Sequence, residues 1–195
     1  MNKDAVTPSG QEEPEAVVNV HKEAYEWIQC LVVALLCCVI IFMFFARVID
    51  VKGRSMEPTL IEGDKIVITR LAGGYERGDI VVLRKQEYRE EPIVKRVIAV
   101  GGDTVDIDFD AGIVYLNGQP LLEPYVNELT YDREDFEGPV EVPEGSIFVM
   151  GDNRNNSTDS RRAAISCVDE RYVLGKVIFR VWPFSKLGAM YGWDY

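Results

Sequence analysis

Histidine is almost absent from this chain. The one histidine, His21, precedes a long apolar run at residues 28–46, so the part of the chain after that run has none. A Ser-His-Asp triad cannot form there, because it needs an imidazole as its general base. A nucleophilic serine in this part would therefore need a different base.

Cysteine is also scarce. Three of the four cysteines, Cys30, Cys37 and Cys38, lie inside the apolar run as ordinary apolar side chains, and Cys167 stands alone in the rest of the chain. These positions exclude a disulfide framework and a zinc site. We expect no metal and no other cofactor.

Basic residues are outnumbered by acidic ones. The chain has 21 Lys and Arg against 32 Asp and Glu, which gives a net charge of −11 and a pI near 4.6. Proteins that follow the phosphates of nucleic acids carry clusters of lysine and arginine, and this sequence has no such cluster. We therefore expect no nucleic-acid partner.

The apolar run at residues 28–46 is long enough to cross a membrane. It contains no charge and one polar side chain, Gln29. As a helix it would be roughly 28 Å long, close to the thickness of the hydrocarbon core. A cleaved secretory signal is the alternative, but its apolar stretch is usually shorter and no small-x-small site follows this run. We predict one retained transmembrane helix between a polar tail, residues 1–27, and a domain of residues 47–195.

The chain after the apolar run predicts a mainly β domain with a barrel-like sheet. Its apolar segments are rich in valine and isoleucine and are separated by Gly-Asp, Gly-Gly and Pro-Glu-Gly sequences that favour turns. The predicted strands are Val48–Lys52, Lys65–Arg70, Ile80–Leu83, Ile93–Val100, Ile147–Met150 and Tyr172–Trp182.

Residues 104–145 predict an insertion into this domain. Val105–Asp110 alternates apolar and acidic residues, turns at Ala111-Gly112 and continues through Ile113–Leu116. That pattern is typical of a β-ribbon with one solvated acidic face. Pro120–Glu144 is rich in acidic residues and proline, so we expect a surface loop there.

Two lysines could activate a serine in the segment Gly53–Leu60. Ser55 alone would be an ordinary turn or helix-cap serine. A lysine can serve as its base only if burial lowers the lysine pKa from about 10.4. Lys95 lies in a predicted strand, and Lys176 has a similar apolar setting, so burial alone does not choose between them. Alternation places three apolar residues on the face of Lys95: Ile93, Val97 and Ala99.

The segment Gly151–Arg161 follows a predicted strand and is polar almost throughout. A turn with Asx hydrogen bonds is one interpretation. A calcium loop fails on spacing, because counting from Asp152 puts Arg154 at the third ligand position. Alternating arginine and aspartate instead favours a buried scaffold whose charges compensate one another.

Four segments of the chain, in the order in which they occur along it, resemble motifs of the type I signal peptidase family. Ser55–Leu60, Ser-Met-Glu-Pro-Thr-Leu, is similar to the family's serine box, and Lys95–Ala99, Lys-Arg-Val-Ile-Ala, is similar to its lysine box. Gly78–Val82, Gly-Asp-Ile-Val-Val, resembles a further family strand, and Gly151–Arg161 resembles its Gly-Asp-Asn-Arg-x-x-Ser-x-Asp-Ser-Arg box. The resemblance covers residues 47–183 and does not reach the tail.

This resemblance implies roles for individual residues. Ser55 would be the nucleophile, its backbone N–H would bind the oxyanion, and Lys95 would be the general base. Ser157 would hydrogen-bond the neutral lysine amine and orient it. Four charged residues would hold the loop against the lysine strand: Asp152, Arg154, Asp159 and Arg161. Five residues would line shallow substrate pockets: Val51, Gly53, Met56, Leu60 and Val94.

The sequence departs from the family pattern at two places. Gly53 stands where some members carry a serine whose hydroxyl completes the oxyanion hole, so a second side-chain donor is not identified here. Gly101-Gly102-Asp103 replaces the more usual Pro-Gly-Asp after the lysine strand, which loosens that turn.

The family implies a monomeric, membrane-bound endopeptidase that removes signal peptides from exported preproteins with small residues before the cut. Residues 47–195 would then lie outside the cell, although the basic residues beyond the apolar run favour the opposite orientation. Aromatic residues near the C-terminus could contact the bilayer surface: Trp182, Phe184, Trp193 and Tyr195. A self-cleaving repressor-type serine–lysine protease and an inactive peptide-binding β module are the alternatives.

Overall fold

The computed structural model describes residues 20–70, 73–85 and 91–190 of the chain. The described residues divide into two compact units, with the boundary between Ile40 and Ile41. Residues 1–19 of the predicted tail lie outside the described residues, as do Trp193 and Tyr195.

The N-terminal helix α1 comprises Val20–Phe45. It begins eight residues before the predicted span and ends one residue earlier, because Ala46 already opens the first strand. No proline or glycine interrupts these residues. The part at Lys22–Ile40 is long and apolar enough to cross a membrane, and its side chains are exposed on all sides. An all-round apolar surface of this kind suits a lipid environment.

The remainder of the described chain is mainly β, which confirms the predicted fold class. Twelve strands follow the helix: β1 Ala46–Asp50, β2 Lys65–Thr69, β3 Ile80–Leu83, β4 Ile93–Val100, β5 Thr104–Asp108, β6 Ile113–Leu116, β7 Gln119–Pro120, β8 Val140–Glu141, β9 Ser146–Met150, β10 Val168–Asp169, β11 Val173–Trp182 and β12 Gly188–Ala189.

Eight of these strands form one sheet that curls into a half-barrel. Its order is β1-β2-β11-β3-β4-β9-β10, with β12 beside β11, and all its neighbours are antiparallel. Strand β3 is buried along its whole length, and β4 is buried except at its ends. The lysine strand is therefore a central strand, where side chains have little freedom to move.

A register shift interrupts strand β4 between Val97 and Ala99. The extra residue of such a bulge moves the following side chains to the opposite face. The prediction that Ala99 shares the face of Lys95 is therefore wrong: Val97 packs in one core cluster, whereas Ala99 joins Ile98 in another.

The inserted segment forms a second sheet, in the order β7-β6-β5-β8. Its ribbon β5–β6 is present where alternation predicted it. The following stretch is not a plain surface loop, because Tyr125, Thr130 and Phe136 are buried. Phe136 lies edge-on to Phe148 of the large sheet, with ring centroids 6.1 Å apart, and so joins the inserted sheet to the main core.

Candidate active site

The loop that carries Ser55 connects β1 and β2 and is closed at its base by the backbone. Val51 N donates to Asp64 O at 2.8 Å, and Gly63 N donates to Val51 O at 2.9 Å. Within the loop, the buried side chains of Met56 and Leu60 anchor a turn to the core. Ser55 is thereby held half-exposed at a fixed point on the sheet.

The polar loop Gly151–Arg161 donates hydrogen bonds to the backbone carbonyl groups of Arg54 and Ser55. Asn153 N donates to Ser55 O at 3.0 Å, and Asn153 Nδ2 donates to Arg54 O at 3.1 Å. No backbone acceptor among the described residues takes the N–H of Ser55. That N–H is thus available to an oxyanion.

Gly151 lies where the serine loop and the polar loop meet. A Cβ added there would stand 2.5 Å from the carbonyl oxygen of Ser55 and 2.2 Å from Ser157 Oγ. Both distances are far inside van der Waals contact, so only glycine lets the two loops approach this closely. Neither Gly151 nor Asn153 had a predicted role of its own, because the serine loop that each of them meets is distant in the chain: Asn153 and Arg54 are 99 residues apart.

Lys95 lies on β4 opposite Val81 of β3 and is buried, as the alternation of the sequence predicted. Its side chain lines one cavity of about 400 Å³ together with Ser55. Among the described residues, no carboxylate forms an ion pair with its amine. Burial lowers the pKa of Lys95 to about 8, although Asp159 acts in the opposite direction.

Lys176, the other lysine that the sequence left open, has a different environment. It pairs with Val81 from the other side, on β11. Its amine lies 2.6 Å from the buried Asp79 Oδ1, and its side chain is 20% exposed against 3% for the whole residue Lys95. In the described part of the chain, the amine of Lys176 is thus engaged by a carboxylate, whereas that of Lys95 is not. The structure thus separates two lysines that have similar sequence patterns.

Within the polar loop, Ser157 and Asp159 form a hydrogen-bonded group. Ser157 Oγ donates to Asp159 Oδ2 at 2.8 Å, and Asp159 accepts from Arg161 Nε at 2.8 Å and from Gly151 N at 2.9 Å. Burial alone would raise the pKa of Asp159, but the hydrogen bonds and charge of Arg161 hold it below its usual range. In the described structure Ser157 makes no hydrogen bond to Lys95; its oxygen keeps lone pairs that can accept an amine N–H.

The two remaining charged residues of the predicted scaffold pair with residues from elsewhere in the chain. Asp152 accepts two hydrogen bonds from Arg96, at 2.8 and 2.7 Å, with both side chains fully buried. Arg154 donates to Glu123 and to Thr130 Oγ1 of the inserted segment. Arg96 and Glu123 were not among the predicted scaffold residues, although Arg96 is part of the lysine box.

The cavity beside Ser55 and Lys95 has a charged rim and an apolar extension. Lys52 and Glu91 approach to 3.7 Å at its edge. A neighbouring cavity of about 220 Å³ shares Val94 with it. This second cavity is lined by Ile49, Asp50, Lys52, Val82, Glu91, Pro92 and Val94.

The predicted substrate-binding residues fall into two groups. Gly53 and Val94 line the cavity beside Lys95. Val51, Met56 and Leu60 are buried members of one core cluster, to which Val94 also belongs. Gly53 has φ +80°, and the space around its missing Cβ is open. Within the described residues, no group of three or more His, Cys, Asp or Glu side chains is placed to hold a metal ion.

The chain is similar to known proteins over most of its length. Residues 24–182 match the family described as signal peptidase, peptidase S26. Signal peptidase I of Bacillus licheniformis is 36% identical over 184 residues, covering 89% of this chain and 96% of that protein. Signal peptidase IB of Staphylococcus aureus is 37% identical over 183 residues, covering 85% and 93%. A crystal structure of a signal peptidase I from Enterococcus faecalis aligns with 53% of this chain and 96% of its own at 33% identity, with a TM-score of 0.44.

Replacing Lys95 by methionine should stabilise the fold near neutral pH. The pKa of Lys95 lies at about 8 in the folded chain against 10.5 for a free lysine. The unfolded chain therefore binds this proton more tightly than the folded chain does. Below pH 8 this difference lowers the free energy of unfolding by up to about 3 kcal/mol, and the loss disappears as the pH rises toward 10.5. We expect Lys95→Met to raise the free energy of unfolding by up to that amount at pH 7 and by much less at pH 10. The measurement is urea unfolding of the full chain in detergent micelles.

Lys176→Met is the matched control for this stability measurement. It leaves the buried Asp79 without its partner, so we expect it to lower the free energy of unfolding. A Lys95→Met variant that is no more stable than the parent at pH 7 would show that the amine of Lys95 is not desolvated.

Proposed function

We propose a mechanism for this chain, which belongs to the signal peptidase family, peptidase S26: Ser55 is the nucleophile and Lys95 its general base. The chain is a signal peptidase, a hydrolase that removes N-terminal signal peptides from secretory preproteins. The observation that carries the two roles is that a buried lysine without a carboxylate partner lines the same cavity as a half-exposed serine.

In the proposed acylation step, the neutral amine of Lys95 takes the proton of the Ser55 hydroxyl. The serine oxygen attacks the carbonyl carbon of the scissile peptide bond, and the resulting oxyanion accepts a hydrogen bond from the N–H of Ser55. The tetrahedral intermediate then expels the amine of the mature protein, which receives the proton from the Lys95 ammonium. The signal peptide is left as an ester on Ser55.

Deacylation follows by the same groups. Lys95, neutral again, takes a proton from water, and the hydroxide attacks the ester carbon. Collapse of the second intermediate returns the proton to the serine oxygen and releases the signal peptide with a new carboxylate. Ser157, whose own proton is directed to Asp159, would accept an N–H of the Lys95 amine and orient its lone pair.

The substrate would lie as an extended strand along the edge of the cavity, between Lys52–Gly53 and Ile93–Val94. Alternate side chains of such a strand point to the same side. They would enter the cavity beside Lys95 and its smaller apolar extension near Val82 and Val94. The small volume of this second cavity, about 220 Å³, supports a preference for small residues before the cut, as the family resemblance implied.

Two alternatives remain distinct from this mechanism. A self-cleaving repressor-type protease would cut its own chain rather than a preprotein. An inactive β module would bind the extended peptide and leave it intact. The family match begins at residue 24, within the apolar helix, which favours a membrane-bound peptidase over the first alternative.

A pair of lysine-to-arginine substitutions tests which lysine is the base. Arginine keeps the positive charge but does not release a proton in proteins. We expect Lys95→Arg and Ser55→Ala to lose at least about a thousand-fold in kcat/KM. Lys176→Arg should stay active, because it can keep the ion pair with Asp79. The measurement is cleavage of a labelled preprotein by the full chain, with sequencing of the new N-terminus.

The opposite pattern, an active Lys95→Arg and an inactive Lys176→Arg, would identify Lys176 on β11 as the general base. Binding of the preprotein without cleavage by the parent chain would support the inactive peptide-binding module.

The pH dependence of cleavage should follow the neutral form of Lys95. Because burial lowers the pKa of this amine to about 8, its unprotonated fraction grows with pH up to that value. We expect kcat/KM to rise about ten-fold per pH unit below pH 8 and to level off above it. A midpoint near 10.5 would mean that the base is an ordinary exposed lysine, and independence of pH would contradict a lysine base.

We propose that α1 is a single membrane anchor and that residues 47–195 lie on the outer surface. Signal peptides emerge for cleavage on that side, and a large folded domain can be translocated despite basic residues beside the helix. Exposed Trp182 and Phe184, whose ring centroids are 4.9 Å apart, fit contact with a lipid surface.

Protease added to intact cells without a wall tests this topology. We expect digestion of the β domain and protection of an N-terminal tag, with both digested once detergent opens the cells. A protected β domain would contradict the proposed orientation.

A further inference from the structure

Ser55 belongs to one short turn, residues 54–60, which we call the serine turn. Two backbone hydrogen bonds close this turn: Glu57 N donates to Arg54 O at 3.1 Å, and Leu60 N donates to Met56 O at 2.9 Å. Because these bonds tie its backbone together, a change in the orientation of the turn would redirect both the hydroxyl and the N–H of Ser55. A nucleophile displaced by about 1 Å can lose about 100-fold in rate.

The two ends of the serine turn are held by different elements. The polar loop holds the first end through Asn153, which donates to the carbonyl oxygen of Ser55 at 3.0 Å. At the other end, the Thr59 hydroxyl donates to Asp152, and the Thr59 carbonyl oxygen accepts a hydrogen bond from Arg180 Nη1 at 2.8 Å. Arg180 lies on β11, 121 residues further along the chain, and has no role in the mechanism above.

The guanidinium of Arg180 is itself fixed by two further contacts. Its Nη1 also lies 3.2 Å from Oδ2 of the buried Asp64, and its Nε donates to Lys186 O at 2.8 Å. Asp64 closes the base of the serine loop, because its carbonyl oxygen accepts the N–H of Val51. Since the guanidinium group is planar and its donors are fixed relative to one another, Arg180 joins the base of the loop rigidly to the serine turn.

A bulge on β11 directs Arg180 toward the serine turn. The register with β2 shifts between Val177 and Phe179. By strict alternation Arg180 would share the face of Lys176, four residues earlier. The extra residue instead places Arg180 on the face of Val177, which packs in the same core cluster as Met56 of the serine turn.

Packing does not support the serine turn on all sides. A cavity of about 420 Å³ adjoins Pro58 and Thr59 and is also lined by Arg96 and Arg180. The wall of a cavity lacks packing partners on its open side. On this side the Thr59 end of the turn is therefore held by hydrogen bonds, of which the one from Arg180 is charge-assisted.

We propose that Arg180 is a positioning residue for the nucleophile: its guanidinium holds the Thr59 end of the serine turn and so sets the direction in which the hydroxyl and the N–H of Ser55 face the scissile bond. This inference rests on the proposed function of Ser55. Arg180 does not touch the reacting atoms. It acts on the serine and leaves the environment of Lys95 unchanged.

Three variants test this role. Arg180→Met removes every donor, whereas Arg180→Lys keeps the charge and one donor group but lacks the guanidinium fork. Arg77→Met is the matched control, because Arg77 Nε donates to Asp103 at 3.0 Å in a comparable part-buried ion pair. Among the described residues, neither member of that pair forms a hydrogen bond with the serine turn.

The experiment measures kcat, KM and the pH profile of preprotein cleavage by the full chain in detergent micelles, with each variant checked for folding by its Tm. We expect Arg180→Met to lose about ten-fold in kcat, with KM within about two-fold of the parent. Arg180→Lys should recover to within about three-fold of the parent. The midpoint of the rising limb should stay that of the parent, because the base is untouched. Arg77→Met should lower Tm and leave kcat unchanged.

A kcat for Arg180→Met equal to that of Arg77→Met would overturn the proposal and leave Arg180 a purely structural role. A rise in KM with unchanged kcat, or a shifted pH midpoint, would also overturn it.

If Arg180→Met does not fold, Arg180→Met/Asp64→Asn decides by the same criteria, because it leaves no unpaired buried carboxylate at this place. Failure of the proposed function is a separate outcome: the parent would not cleave the preprotein, or Ser55→Ala would cleave it as well as the parent.

Discussion

The site depends on one constraint, the burial of the Lys95 amine without a carboxylate partner. Lowering a lysine pKa from 10.5 to about 8 corresponds to about 3 kcal/mol, which is a large part of the stability of a small domain. Lys95 stays buried in spite of this cost because β4 is a central strand, held by β3 on one side and β9 on the other. A more exposed or more mobile strand would let the amine reach water and regain its proton.

Among the described residues, buried charges in the loop and strand around Lys95 are paired with one another rather than with its amine. Three buried arginines each have an acidic partner: Arg96 with Asp152, Arg154 with Glu123 and Arg161 with Asp159. Buried pairs of this kind add little net stability, but breaking one leaves an unpaired charge, so they lock the loop in one geometry. Glu123 comes from the inserted segment, which therefore completes the support of the polar loop.

The sequence allowed the strands and the burial of Lys95 to be predicted, because both follow from local alternation of apolar residues. Local alternation could not distinguish Lys95 from Lys176, and only the resemblance to the family's lysine box did so. The ion pair between Lys176 and Asp79 depends on how strands far apart in the chain meet. The bulge that moves Ala99 to the other face has no signature in composition. Glu123 lies in the stretch that was predicted to be a surface loop, and its ion pair could not be predicted because its partner, Arg154, lies 31 residues away.

The state of the Lys95 amine can be measured directly by NMR. The full chain, labelled at the lysine side chains and held in detergent micelles, is titrated from pH 6 to 11, with Lys95→Met identifying the signal. We expect this amine to lose its proton with a midpoint near 8, as its burial requires. A midpoint near 10.5, that of a free lysine, would contradict the account on which the proposed catalytic pair rests.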